Sequence, residues 1–138
     1  PNVADLVPIA AAAAEAGAEA VTLVNTVLGM AIDTESRRPR FARGVGGLSG
    51  PAIHPIAVRA VYDVHHALPD LPIVGVGGVA RGVHAVELLL AGASAVQVGT
   101  ATFADPRAVE HVQRELAAWC RTHGVTAVRE LIGGAHER

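Results

Sequence analysis

The chain has 138 residues, with eleven basic and thirteen acidic side chains; that length allows one domain with a real core, and the near-neutral charge argues against non-specific nucleic-acid binding. All eleven basic residues are arginine, so chemistry that needs a lysine base, Schiff base or charge partner cannot be completed within the chain. The single cysteine, Cys120, rules out an intrachain disulfide, and no apolar run approaches the ~20 residues of a membrane-spanning helix, so the chain reads as cytoplasmic, with no membrane contact.

Hydrophobic residues reach 51% while aromatics stay at 3%, which suits helices packed closely on a sheet. Asn2 is a good helix N-cap, and Asp5 favours the start of a helix that continues through the alanine-rich run 6–16 and stops at Gly17. No strand precedes this helix, so the chain reads as the continuation of a longer one. Residues 20–25 read as a buried parallel strand ending in Asn25-Thr26. Residues 27–54 show no clear period and carry several glycines and prolines, which predicts a long functional loop. Its arginines, Arg37, Arg38, Arg40 and Arg43, could hold a phosphate or a partner, or form a solvated face.

An amphipathic helix follows over residues 55–68, with Ile56, Ala60, Val61 and Val64 on one face. The strand 72–76 then ends at Gly77-Gly78, before a crossover helix over 81–91 closed by Gly92. The strand 95–99 ends at Gly99-Thr100 and leads to a helix over 106–121, stopped by Gly124. A short helix over 126–132, capped by Thr126, and a frayed tail after Gly133-Gly134 complete the chain. Three strands alternating with helices predict a parallel α/β sheet.

Both glycine turns fall at the carboxyl end of a strand and ahead of a helix, the edge where parallel α/β proteins bind ligands. Residues without a Cβ let backbone N–H groups approach phosphate oxygens, and a following helix points its positive end at them. Glycines are also needed simply for tight turns. Asn25-Thr26 offers an amide and a hydroxyl for a carboxylate or amide-bearing ring, or a plain turn cap. The Gly46-Gly47-Leu48-Ser49-Gly50-Pro51 block could lie against a flat cofactor or be a flexible loop. His65-His66 points to two faces of a helix and does not make a metal site, and Cys120 lies near a helix's negative pole, which disfavours a thiolate nucleophile.

Four blocks together carry a family resemblance: Val24-Asn25-Thr26-Val27-Leu28-Gly29-Met30-Ala31-Ile32-Asp33, Gly46-Gly47-Leu48-Ser49-Gly50-Pro51-Ala52-Ile53-His54-Pro55, Gly75-Val76-Gly77-Gly78-Val79, and Ala91-Gly92-Ala93-Ser94-Ala95-Val96-Gln97-Val98-Gly99-Thr100. In that order and spacing they resemble dihydroorotate dehydrogenase, and more specifically the carboxyl-terminal portion of the NAD-linked class 1B catalytic subunit. The resemblance implies a partial (β/α)8 TIM barrel: roughly the last three strands with their helices, residues 1–138 forming one part of a single FMN-binding domain whose amino-terminal half is absent. Eight strands and ~250 residues are needed to close such a barrel.

The resemblance further implies that Gly77, Gly78, Gly99 and Thr100 hold the FMN phosphate. Val24 and Gly50 would contact the isoalloxazine, and Asn25 and Thr26 would bind the pyrimidine, dihydroorotate or orotate. The family's reaction is flavin-dependent oxidation of dihydroorotate in pyrimidine biosynthesis, with a cysteine base from the amino-terminal half. That base and a family lysine near the flavin have no counterpart here, and Cys120 does not match the motif. The implied partner is an electron-transfer subunit carrying FAD and a 2Fe–2S cluster, in a heterotetramer that passes electrons to NAD. The alternatives are a non-catalytic half-barrel binding a phosphate ligand or partner chain, or a fragment of a related FMN barrel such as dihydropyrimidine dehydrogenase.

Overall fold

A computed structural model describes residues 2–136. Helix α1 spans Val7–Glu15 and begins later than Asn2 predicts. Its start is held by Asp5, whose Oδ1 accepts the Val7 N–H at 3.0 Å. Asn2 is instead a tie between chain segments. Its Nδ2 donates to the Thr26 carbonyl at 3.0 Å, and its Oδ1 accepts the Leu28 N–H at 2.8 Å.

Strand β1 is Val21–Leu23. The segment that sequence alone leaves as a loop is an arm of four short strands: β2 (Val27–Gly29), β3 (Ile32–Asp33), β4 (Arg38–Pro39) and β5 (Gly46–Leu48). β2 pairs antiparallel with β5, and the β3–β4 hairpin is nested between them in sequence. Strands of two or three residues containing Gly, Arg and Pro leave no readable alternation, which is why periodicity misses them. The turn at Asp33 is closed by its own carboxylate, which accepts the Ser36 N–H at 2.7 Å; hydrogen bonds from Ser36 hold the Asp33 carboxyl below the usual carboxylate range.

A single helical turn at Pro51–Ile53 leads into α2, His54–Ala67. Then come β6 (Ile73–Val76), α3 (Gly82–Leu90), β7 (Ala95–Gln97), the short α4 (Ala101–Ala104) and α5 (Ala108–Thr122). All three strands of the main sheet run parallel, in the order β1-β6-β7. The register pairs Leu23 with Gly75 and Val76 with Gln97, so the carboxyl ends of the three strands finish side by side.

The core lies on one face of this sheet. Ala57, Val61 and Val64 of α2, Ile73 of β6 and Leu88 of α3 are fully buried there, together with Ala85 and Ala93. Along β6 burial alternates with the pleat: Ile73 and Gly75 face the helices, while Val74 and Val76 are half-covered. Thr22, Ala95 and Gln97 are exposed on the other strands. Residues 20–25 are therefore not a fully buried strand; β1 is an edge strand covered on one side.

The carboxyl-terminal end also departs from expectation. The predicted helix over 126–132 is one tight turn, Val128–Leu131, where the Glu130 carboxylate accepts the Thr126 hydroxyl at 2.6 Å and the Ala127 N–H at 2.9 Å. The Thr126 hydrogen bond holds the Glu130 carboxyl below its usual range. Residues 133–136 pack back rather than fraying; the last two positions of the expected tail lie outside the described residues. The Gly133 N–H donates to the Leu89 carbonyl at 3.0 Å, and the His136 ring stacks on Tyr62 with centroids 3.9 Å apart. Cys120 is buried beside Leu89 and Leu131 in a second small cluster.

Candidate functional site

The three strand ends open into a cleft of about 620 Å³, lined largely by apolar atoms. Each element contributes a short polar or glycine segment to it. From the end of β1 come Val24, Asn25 and Thr26; from the arm's return, Ser49 and Gly50; from the end of β6, Gly77 and Gly78; from the end of β7, Gly99 and Thr100. All eight residues singled out from the sequence line this one cleft. None of the four arm arginines does, and all four are exposed on the arm.

The local reasons are readable. β1 is held to β6 beyond its last regular pair by the Val24 N–H, which donates to the Val76 carbonyl at 2.7 Å. This aligns Val24 with the start of the Gly77-Gly78 turn. The Asn25 carbonyl oxygen Oδ1 accepts the Thr26 N–H at 2.7 Å, so the amide is oriented by its own neighbour. The Gly46–Gly50 block is not a flexible loop: Gly46–Leu48 is a paired strand, and Gly50 is buried.

The Gly77-Gly78 turn requires glycine at both positions. Gly77 has φ +142° and Gly78 φ +67°, backbone that side-chain-bearing residues rarely adopt. A Cβ on Gly77 would sit 2.6 Å from the Ala57 Cβ, and one on Gly78 would sit 2.8 Å from both the Gly50 carbonyl oxygen and the His54 Cβ. The turn is thus pressed onto the first turn of α2. Gly99 is different, since a Cβ there meets nothing within 4 Å. It borders open cleft.

The helix poles behave differently from the sequence expectation. The first N–H of α3, on Gly82, is taken by the Glu115 carboxylate of α5 at 2.6 Å. That end of α3 already holds a carboxylate, and α4 is a single turn.

Several residues at the cleft carry no local sequence signal. Glu115, Asp105 and His111 line it from α5 and the segment before it, and His111 Nδ1 lies 2.9 Å from Asp105 Oδ2. His54 lies behind the glycine turn, 7% exposed, with Nδ1 2.8 Å from the Gly77 carbonyl oxygen and Nε2 2.8 Å from Glu87 Oε2. Its ring is 4.5 Å from that of His84. Burial, then the neighbouring His54 and Arg81, hold His84 below the usual histidine range, against the opposing pull of Glu87 and the Gly78 backbone. His65 is also lowered, first by burial and then by His136. Among the described residues no group of three or more His, Cys, Asp or Glu is placed to hold a metal ion, and no helix is long and apolar enough to cross a membrane.

Comparison with known proteins adds to this geometry. A family model described as dihydroorotate dehydrogenase matches residues 1–119. The catalytic subunit of dihydroorotate dehydrogenase B (NAD(+)) from Geobacter sp. strain M21 is 52% identical over 133 residues, covering 96% of this chain and 43% of that protein. A protein from Solibacter usitatus, provisionally named dihydroorotate dehydrogenase A (fumarate), is 51% identical over the same share of both chains. The chain thus spans 43% of the length of these relatives. Among solved structures, a crystal structure of DHODH in complex with ferulenol from Eimeria tenella matches with a TM-score of 0.77 at 30% identity, over 94% of this chain and 34% of that one.

Proposed function

The chain belongs to the dihydroorotate dehydrogenase family, and from that premise we propose that it is the carboxyl-terminal part of an FMN-binding (β/α)8 barrel that oxidises dihydroorotate to orotate in pyrimidine biosynthesis. In this reading Gly77, Gly78, Gly99 and Thr100 hold the FMN phosphate. Val24 and Gly50 contact the isoalloxazine, and Asn25 and Thr26 bind the pyrimidine. The observation that carries the reading is the convergence of these eight residues on one cleft at the carboxyl ends of three parallel strands.

The cleft suits the cofactor. Its size falls within the ~300–1,000 Å³ usual for cofactor and ligand sites. Two glycine turns line it, and Val24, Ile53, Val76 and Val79 give it the apolar wall a flat ring needs. Bound FMN supplies the hydride acceptor; the protein supplies position and electrostatics. The Asn25 amide and Thr26 hydroxyl can pair with ring N–H, carbonyl and carboxylate groups and so orient the substrate. The half-covered sheet face is where the remaining strands would pack, and the base would come from that half of the barrel.

By the same reading the protein works in the cytoplasm with an electron-transfer subunit that carries FAD and a 2Fe–2S cluster, in a heterotetramer that delivers electrons to NAD. The name of the Solibacter relative favours fumarate as a second acceptor to test. The experiment is to express the chain with the amino-terminal half of the Geobacter subunit and isolate the reconstituted barrel. FMN uptake, dihydroorotate-dependent bleaching and reoxidation by NAD with the partner subunit, or by fumarate, are then measured. A folded barrel that takes up no FMN would overturn the assignment.

A further inference from the structure

The Gly77-Gly78 turn is gripped at both ends by histidines from two different helices. His54, at the start of α2, is buried, and its Nδ1 lies 2.8 Å from the Gly77 carbonyl oxygen. A carbonyl only accepts, so Nδ1 carries the proton of this bond. Glu87 of α3 meets the ring's other nitrogen at 2.8 Å and fixes its orientation. His84, also on α3, has Nδ1 3.2 Å from the Ala80 N–H, which only donates, so this nitrogen is the acceptor. Arg81 lies at the far side of the His84 ring, with Nη2 3.1 Å from Nε2; a neutral ring that accepts at Nδ1 carries its proton on Nε2, so this approach is a packing contact and not a hydrogen bond. The two rings are 4.5 Å apart. One thus holds the carbonyl that enters the turn, and the other holds the N–H that leaves it. Gly78 and Val79 lie between these two anchors, at the cleft wall.

We propose that His54 and His84 are positioning residues that bracket the Gly77–Ala80 turn and aim its free amides at the flavin phosphate. The inference rests on the phosphate reading of this cleft and adds how the turn is kept in register for it. The chemistry asks for opposite roles from the two rings: a donor at His54 Nδ1 and an acceptor at His84 Nδ1. His84 is suited to the second role because partial burial disfavours its charged form, and the neutral ring has a nitrogen that can accept. Glu87 links the two, since it orients the His54 ring from the helix that carries His84.

The test uses the reconstituted barrel and compares FMN with riboflavin, which lacks the phosphate. His54→Leu and His84→Leu each remove one anchor. Each should weaken FMN about tenfold, as expected for one lost hydrogen bond, while riboflavin affinity changes by less than about twofold. His54→Asn and His84→Asn place an amide nitrogen or oxygen where Nδ1 stood, and should recover FMN affinity to within about threefold of the parent. In addition, the ring nitrogen shifts of His54 in the FMN complex should report a protonated Nδ1.

Equal losses of FMN and riboflavin in the leucine variants would mean that the histidines only hold the fold, and would overturn the proposal. So would unchanged FMN affinity, failure of both asparagine variants to rescue, or a bare Nδ1 on His54. Gly99→Asp, on the other glycine turn, separates this failure from failure of the phosphate reading. If that variant leaves FMN affinity intact, the phosphate does not lie where the cleft reading puts it, whatever the histidines do.

Discussion

Gly99→Asp is the sharpest perturbation of the cleft. Most glycines near the site are pinned by neighbours, but a Cβ on Gly99 meets nothing within 4 Å, and its backbone lies outside the left-handed region. The aspartate therefore enters open space, and its effect on folding should stay within about 0.5 kcal/mol, as for exposed substitutions generally. Its effect on a phosphate is of another order. Two unit charges 4 Å apart repel by about 1 kcal/mol in bulk water and about 4 kcal/mol at the effective dielectric of a protein surface. A value near 2 kcal/mol corresponds to about 30-fold in affinity. FMN titration of the reconstituted barrel, followed by quenching of flavin fluorescence, should show that loss. It should shrink as salt is added, because the carboxylate is partly solvated. Riboflavin should bind within about twofold of the parent, and Gly99→Asn, with the same bulk and no charge, should lose clearly less FMN affinity than Gly99→Asp. Equal behaviour of the Asp and Asn variants towards FMN would refute a phosphate at this turn.

Asn25→Ala should raise the KM for dihydroorotate about tenfold, the cost of one lost polar contact, while FMN affinity is unchanged; a matching loss of FMN would instead assign Asn25 to the flavin. Leu88 is fully buried against β6, so Leu88→Ala should cost about 2–5 kcal/mol in urea unfolding of the reconstituted barrel, and a change below about 1 kcal/mol would show that this face is not the core. His65 is lowered in the fold by burial and by His136, so the unfolded chain takes up its proton first as pH falls. That contribution is complete above the ordinary histidine value of about 6.5 and is lost as pH drops below it. The urea midpoint should therefore fall between pH 7.5 and pH 5, and His65→Gln should flatten the slope. An identical slope in the variant would remove His65 from the account.

The parallel strands were legible because each is a short apolar run ended by residues with turn chemistry: Asn25-Thr26, Gly77-Gly78 and Gly99-Thr100. The paired strands are shorter than these apolar runs, since periodicity marks where apolar residues lie and not where pairing stops. Asn2 shows how local reasoning misassigns a polar side chain. It has the character of a helix cap, yet the more favourable partners are the Thr26 carbonyl and the Leu28 N–H, 24 and 26 residues away in sequence. The nested arm was illegible for a related reason. Its strands are defined by partners across the arm, Val27 with Leu48 and Ile32 with Pro39, and not by any alternation of their own. The last segment read as a tail because Gly133-Gly134 looks like a terminus, whereas His136 finds a ring stack on Tyr62 that no local pattern announces.

The site divides along the same physical line. Residues that work through the backbone at a strand end can be read from sequence, because the strand fixes their place and glycine or Asn-Thr declares the chemistry available there. Parallel register then brings them together automatically: pairing Leu23 with Gly75 and Val76 with Gln97 leaves Val24, Gly77 and the approach to Gly99 at one edge. Residues that work through the turn are hidden, because their meaning arises only when helices dock. His54 looks like a polar residue opening a helix, and His84 like one more position of an amphipathic helix. Only the packing of α2 and α3 over β6 sets one ring under the Gly77 carbonyl and the other beside the Ala80 N–H. A glycine turn with no side chains to lock it is free to take many shapes. Buried His54 and half-buried His84 supply the constraint that the glycines cannot, so the part of the site that sequence reveals least is the part that gives the legible residues their geometry.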